Sequence, residues 1–135
     1  MGRLALLALA AVLSGCAALK AQVTLVEGLR QFDAGEHEKS AATLQSAVEI
    51  GLGDKDRATA YKHLAFIHCS AGRERACRDE FRKALAADPA TQLDAAEAGH
   101  PVWGPIFRSM SGASALTTMV SWISDGAICS ESVTC

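Results

Sequence analysis

The chain has 135 residues, half of them apolar but only 5% aromatic, and a formal net charge of −2. That length allows one domain with a modest core, and the lack of a cationic surplus leaves no electrostatic footprint for nucleic acid. Few aromatics and abundant alanine favour close-packed helices over a β-sandwich, which draws on β-branched and aromatic residues.

A single cation, Arg3, precedes the apolar run Leu4 to Val12. That run is too short to span a bilayer as a helix of about 20 residues. A charged start, a short apolar middle and small residues ahead of a cut describe a secretory signal peptide. The next residues, Leu13-Ser14-Gly15-Cys16, resemble the lipobox of bacterial lipoproteins. The resemblance implies that the Cys16 thiol receives a diacylglycerol, that cleavage falls before Cys16 and that the new amino group is acylated. Three acyl chains hold far better than one, because each buried methylene is worth about 0.8 kcal/mol. Ala17 in place of Asp resembles the signal for export to the outer membrane. The implied location is therefore its periplasmic face, with the membrane engaged through the lipid. Without the leader the chain carries 12 basic and 15 acidic residues.

From Ala21 to Glu49 the apolar spacing is helical, interrupted at Asp33-Ala34-Gly35. Leu25, Leu29 and Phe32 recur three and four apart before the gap, and Ala41, Leu44, Ala47 and Val48 after it. Gly35 suits a helix end that needs positive φ. The pattern breaks at Leu52-Gly53-Asp54 and repeats from Ala58 to Ala86, with Tyr61, Leu64, Ala65 and His68 on one face. Cys77, Phe81, Ala84 and Leu85 form the second face, Gly72 punctuates, and Asp88-Pro89 stops the helix. At an offset of 37, Gly35 falls on Gly72, Leu44 on Phe81, Ala47 on Ala84 and Gly28 on Ala65. This is an internal repeat, so a repeat architecture is the first fold to consider.

The second copy is similar to the tetratricopeptide repeat, a helical hairpin of about 34 residues. Its marker positions are Tyr61, Leu64, Ala65, His68, Gly72, Cys77, Phe81, Ala84 and Pro89, with His68 and Cys77 departing from the usual identities. The first copy keeps Gly28, Gly35, Leu44 and Ala47 but has Thr24 where a large aromatic is usual. Two such hairpins bury little, so a covering element is expected, and Asp94 to Arg108 is placed to supply it. Within it, Ala98-Gly99-His100-Pro101-Val102-Trp103-Gly104-Pro105-Ile106-Phe107 carries two X-Pro steps that favour extended backbone. It reads either as a cap, with Trp103 against Phe81 or Leu85, or as a docking strip in which His100, Trp103 and Phe107 meet a partner.

Three runs carry a narrower resemblance. They are Leu64-Ala65-Phe66-Ile67-His68-Cys69, Cys77-Arg78-Asp79-Glu80-Phe81-Arg82-Lys83-Ala84-Leu85, and Gly99-His100-Pro101-Val102-Trp103-Gly104-Pro105-Ile106-Phe107. Together they resemble small repeat lipoproteins encoded with type VI secretion systems, the TssQ type, over roughly residues 16–108. The resemblance implies an outer-membrane-anchored accessory of the secretion machine that acts by protein–protein contact. The expected fold is all-α: two tetratricopeptide-like hairpins plus a C-terminal cap, after a cleaved lipoprotein signal peptide. The expected division is a signal peptide over 1–15, a lipid-anchored linker over 16–20, repeats over 21–89, a capping segment over 90–108 and an atypical tail over 109–135. In the tail, Met119, Val120, Trp122 and Ile123 form a short apolar patch.

Export changes what the cysteines mean. With Cys16 assigned to the lipid, Cys69, Cys77, Cys129 and Cys135 remain, and four cysteines in an oxidising compartment allow three connectivities. Cys69 and Cys77 face each other across the Gly72 turn, at a separation a disulfide can bridge. The pair is expected either bridged or as two buried thiols. His63 and His68 are five apart and share no helix face, and no His–Cys zinc spacing occurs, so neither metal nor cofactor is expected.

The leading functional expectation is a binding module rather than an enzyme. No nucleophile–base or carboxylate pair stands out, and Glu36, Glu38, Asp79 and Glu80 fall on charged helix faces. In the repeat register Leu25, Leu29, Phe32, Lys62 and Phe66 line a groove, apolar with one cation, suited to a partner's helix or extended peptide. The competing assignment makes Phe32 and Phe66 ordinary core. The alternative role is a pilotin-like or general envelope-assembly repeat lipoprotein.

Overall fold

The computed structural model describes residues 2–112, with side chains from residue 15 onward. The leader's side chains, the apolar patch around Trp122, Cys129 and Cys135 lie outside the described residues. Among those residues every regular element is a helix: α1 (Gly2–Asp33), α2 (His37–Gly51), α3 (Asp54–Ser70), α4 (Glu74–Ala87), α5 (Ala95–Ala98) and α6 (103–112). The fold is all-α, built from two helical hairpins followed by a covering segment.

The hairpin turns form for the same local reason. After α1, Gly35 at φ 77° lets its own N–H donate to the Phe32 carbonyl (2.9 Å) while the Glu36 N–H donates to Gln31 (2.9 Å). After α3, Gly72 at φ 71° does the same, its N–H bonding to Cys69 (3.0 Å) and that of Arg73 to His68 (2.9 Å). These are the paired bonds of a Schellman ending, in which a glycine accepts the left-handed conformation and the last carbonyls find donors. The offset of 37 maps one turn onto the other, bond for bond.

Packing within each hairpin also follows the offset of 37. α1 approaches α2 at Gly28, where an added Cβ would stand 2.7 Å from Leu44 Cδ2. The Ser40 hydroxyl, fully buried, donates to the Gly28 carbonyl at 2.8 Å. In the second hairpin the matching positions are Ala65, Phe81 and Cys77, all fully buried or nearly so. Cys77 is joined to Cys69 by a disulfide across the turn, with Cα atoms 5.1 Å apart. Two apolar clusters result. One unites Ala21, Leu25, Leu44, Ala47, Leu52, Ala60, Leu64 and Ile67 across α1, α2 and α3. The other unites Ala65, Phe66, Cys69, Cys77 and Phe81 with Phe107 of α6. Burying each large side chain contributes about 1.5–3 kcal/mol.

Two expectations are corrected here. Residues 16–20, expected as a linker, continue α1 without a break. Glu80, expected on a solvated face, is only 8% exposed. Its Oε1 accepts from Lys83 at 2.7 Å, and that hydrogen bond raises the Lys83 pKa.

Candidate functional site

The face on which the first helices of the hairpins meet is occupied by the chain itself. α5 begins with a capping box: Asp94 accepts from the Glu97 N–H at 2.8 Å, and Glu97 accepts from the Asp94 N–H at 2.9 Å. The same Glu97 oxygen accepts from Lys62 Nζ at 2.9 Å, with the two side chains only 17% and 16% exposed. One carboxylate therefore both starts α5 and ties it to α3. A pair this sheltered is screened less than a surface pair, and each partner relies on the other to offset its desolvation.

Beyond α5 the Gly-His-Pro-x-Trp-Gly-Pro run turns the chain back over α3. Gly104 is buried so close to the end of α5 that an added Cβ would lie 2.4 Å from the Ala98 carbonyl oxygen. Arg108 donates to that same carbonyl at 3.0 Å. Pro105 falls in the first turn of α6, where a missing N–H costs no helical bond. Trp103 stacks on Phe66 with ring centres 4.7 Å apart, and His100 also stacks on the indole. Phe107 meets Phe81 edge-on at 5.2 Å.

The sequence-predicted site residues consequently separate. Leu25 and Phe66 are buried and do not line an open groove: Leu25 belongs to the first core cluster, and Phe66 lies beneath Trp103. Lys62 is engaged by Glu97. Leu29 and Phe32 are half-buried and pack against the core. Trp103 stacks on Phe66, and it packs with Leu85 against the cluster that holds Phe81. His100, Trp103 and Phe107 act here as a cap, with Phe107 buried and Val102 exposed beside them.

Beside the cap the neighbours of Phe66 are aromatic rings. Phe32 contacts His37 (5.3 Å), His63 (5.2 Å) and Phe66 (6.1 Å). His63 donates through Nδ1 to the Thr59 carbonyl at 2.9 Å, and burial pushes its pKa below the ordinary value. A neutral imidazole thus serves as one more ring in the cluster. Glu97 was not singled out from sequence, and His63 was weighed there only as a metal ligand, since helical spacing does not say which residue a distant segment will cover. Among the described residues no three His, Cys, Asp or Glu side chains converge.

Cys16 is an exposed free thiol on α1. All residues from Gly15 to Lys20 are exposed, and Ala21 is the first fully buried one among the described side chains. Among the described residues no helix is long and apolar enough to cross a membrane. A scan against protein-family models finds no match, and searches of curated proteins and of solved structures likewise return none.

Proposed function

We propose that the mature protein begins at Cys16 and is a lipid-anchored helical scaffold on the periplasmic face of the outer membrane. It acts by protein contact, as an accessory of a type VI secretion system, and catalyses no reaction. The observation that carries this reading is where the packed body starts. Cys16 is accessible, Gly15 to Lys20 are all exposed, and among the described side chains the core begins at Ala21, five residues further on. Contact with a partner falls to the face beside the cap, where Leu29, Phe32 and His63 stay half-buried next to exposed His37. Half-buried aromatic groups of this kind are where binding energy tends to concentrate.

The test is crosslinking in cells, membrane fractionation and mass spectrometry on the wild type and Cys16→Ser. Wild type is expected in the outer-membrane fraction with secretion-apparatus proteins attached, and Cys16→Ser in the soluble fraction. Wild type recovered with pilus or general envelope-assembly proteins would transfer the role to that alternative. Wild type as soluble as the mutant would overturn the anchored reading.

A further inference from the structure

Leu19, Val23 and Val26 are 67%, 63% and 63% exposed, the most exposed large apolar side chains among the described residues. All three lie on α1. At about 100° per residue, Cys16, Leu19, Val23 and Val26 fall within an arc of about 80°, a line about 15 Å long from the thiol to the last valine. Ala21, Leu25 and Gly28, which face the core, lie on the opposite side of the same helix. Gln22, Val23, Val26 and Glu27 line a shallow recess on this face.

The charges around the stripe suit one kind of surface. Lys20 flanks it near Cys16, and Arg30 closes its far end. Two acids lie beside it: Asp56 of α3 accepts from Gln22 at 2.5 Å, and Glu27 accepts from Arg30 at 2.7 and 2.9 Å and from Gln31 at 2.8 Å. The bonds to Glu27, that of Arg30 first, hold its pKa down to about 2, so its charge is matched locally by a cation.

We infer that this face of α1 rests on the lipid surface, so that the anchored protein lies with α1 flat along the membrane and its folded body on the far side. The inference rests on the reading of Cys16 as the lipid-bearing residue, with which the stripe is continuous. The stripe's size decides between a membrane and a protein as occupant. One leucine and two valines offer on the order of 300 Å², short of the roughly 800 Å² each partner gives to a stable protein interface. Acyl chains at Cys16 already supply affinity, so a short amphipathic face needs only to orient the body, which interfacial helices do by sinking about 5–10 Å into the headgroup boundary.

The experiment uses the full chain, processed in cells and purified from their membranes, in vesicles of phosphatidylethanolamine and phosphatidylglycerol. Benzoylphenylalanine is placed at Val23 or at Arg82, an exposed position on α4, which makes no contact with α1. After irradiation, lipid adducts are counted by mass spectrometry. About tenfold more lipid adduct at 23 than at 82 is expected for a helix face sunk into the interface, and V26E should reduce it several-fold while the protein stays with the vesicles. Equal adduct at both positions on vesicle-bound protein would overturn the orientation and leave the anchor standing. Adducts at 23 to a second copy, or to residues 113–135, would overturn it in favour of those occupants. Protein that carries no lipid and does not enter vesicles would overturn the anchored reading beneath it.

Discussion

The two hairpins share one backbone plan and are closed by different chemistry. Ser40 and Cys77 occupy the same repeat position, and both are fully buried. In the first hairpin the Ser40 hydroxyl bonds the Gly28 carbonyl across the helix pair. In the second, Cys77 is covalently tied to Cys69, whose counterpart in the first is Phe32. Next to these, Gly28 with Leu44 becomes Ala65 with Phe81, a small–large pair shifted up in volume. The added volume in the second hairpin provides the ring surface on which the cap is built, since Phe81 meets both Phe66 and Phe107. Two hairpins can thus share their turns and differ in their interiors. One copy stays slim and offers an outer helix face, while the other becomes the seat of a lid.

The largest effect should come from cutting the two large core residues at this shared position. Phe81→Ala is expected to cost about 3–5 kcal/mol and Leu44→Ala about 2–5 kcal/mol, read by urea unfolding followed by circular dichroism. The comparison is sharpened by a second probe, Trp103 fluorescence in a Trp122→Phe background. Phe81→Ala removes the ring under Phe107 and should shift the Trp103 emission in the folded state, whereas Leu44→Ala should leave it unchanged. Equal shifts from both would mean that the hairpins are not separate supports and that the cap rests on the whole stack.

The closures come next. The disulfide spans 8 residues of sequence, and constraining a loop of that size contributes about 2–3 kcal/mol in the chain-entropy account. Replacing the pair in a Cys69→Ala/Cys77→Ala variant should lower stability by about that much. Ser40→Ala, which removes one buried hydrogen bond, should cost only about 0.5–1.5 kcal/mol. A disulfide variant as stable as Ser40→Ala would show that the second hairpin is held by its aromatic packing rather than by its crosslink.

The sequence carried the parts of this architecture that are local. Gly35 and Gly72, the apolar spacing on either side of them and the cysteines flanking the second turn are decided within a few residues, and each is found where its pattern points. The groove residues were harder to place because their state is set by a segment 30 to 40 positions away. Nothing in the periodicity around Phe66 says that Trp103 will lie on it, or that Lys62 will meet Glu97. Glu80 misled for a related reason. Its neighbours Asp79, Arg82 and Lys83 read as a solvated face, yet the position matches Thr43 of the first hairpin, where the side chains of α1 and α2 meet.

That same pair of positions gives the smallest and most specific test. In the first hairpin the Thr43 hydroxyl donates to Gln31 Oε1 at 2.7 Å. Their counterparts are His68 and Glu80, where His68 Nδ1 and Glu80 Oε2 are buried without a hydrogen-bond partner. His63 likewise stands where the first hairpin has Val26. Burial lowers the pKa of both histidines from the ordinary 6.5, and nearby Arg73 and Lys83 add to this at His68, as does Lys62 at His63, against the opposing pull of Glu80, Glu38, Glu97 and Asp33. A lowered folded-state pKa means that the unfolded chain takes up protons first as pH falls. The stability these histidines contribute is therefore present above about pH 6.5 and is lost as pH drops from there through their folded-state values. Acid sensitivity from imidazoles should belong to the second hairpin. Urea midpoints at pH 7.5 and 5.5 are expected to differ less in His68→Gln, which restores the side chain of the first hairpin, than in wild type. The difference should shrink further in His63→Val/His68→Gln. An undiminished difference in the double variant would place the proton uptake elsewhere and remove the histidines from this contrast between the copies.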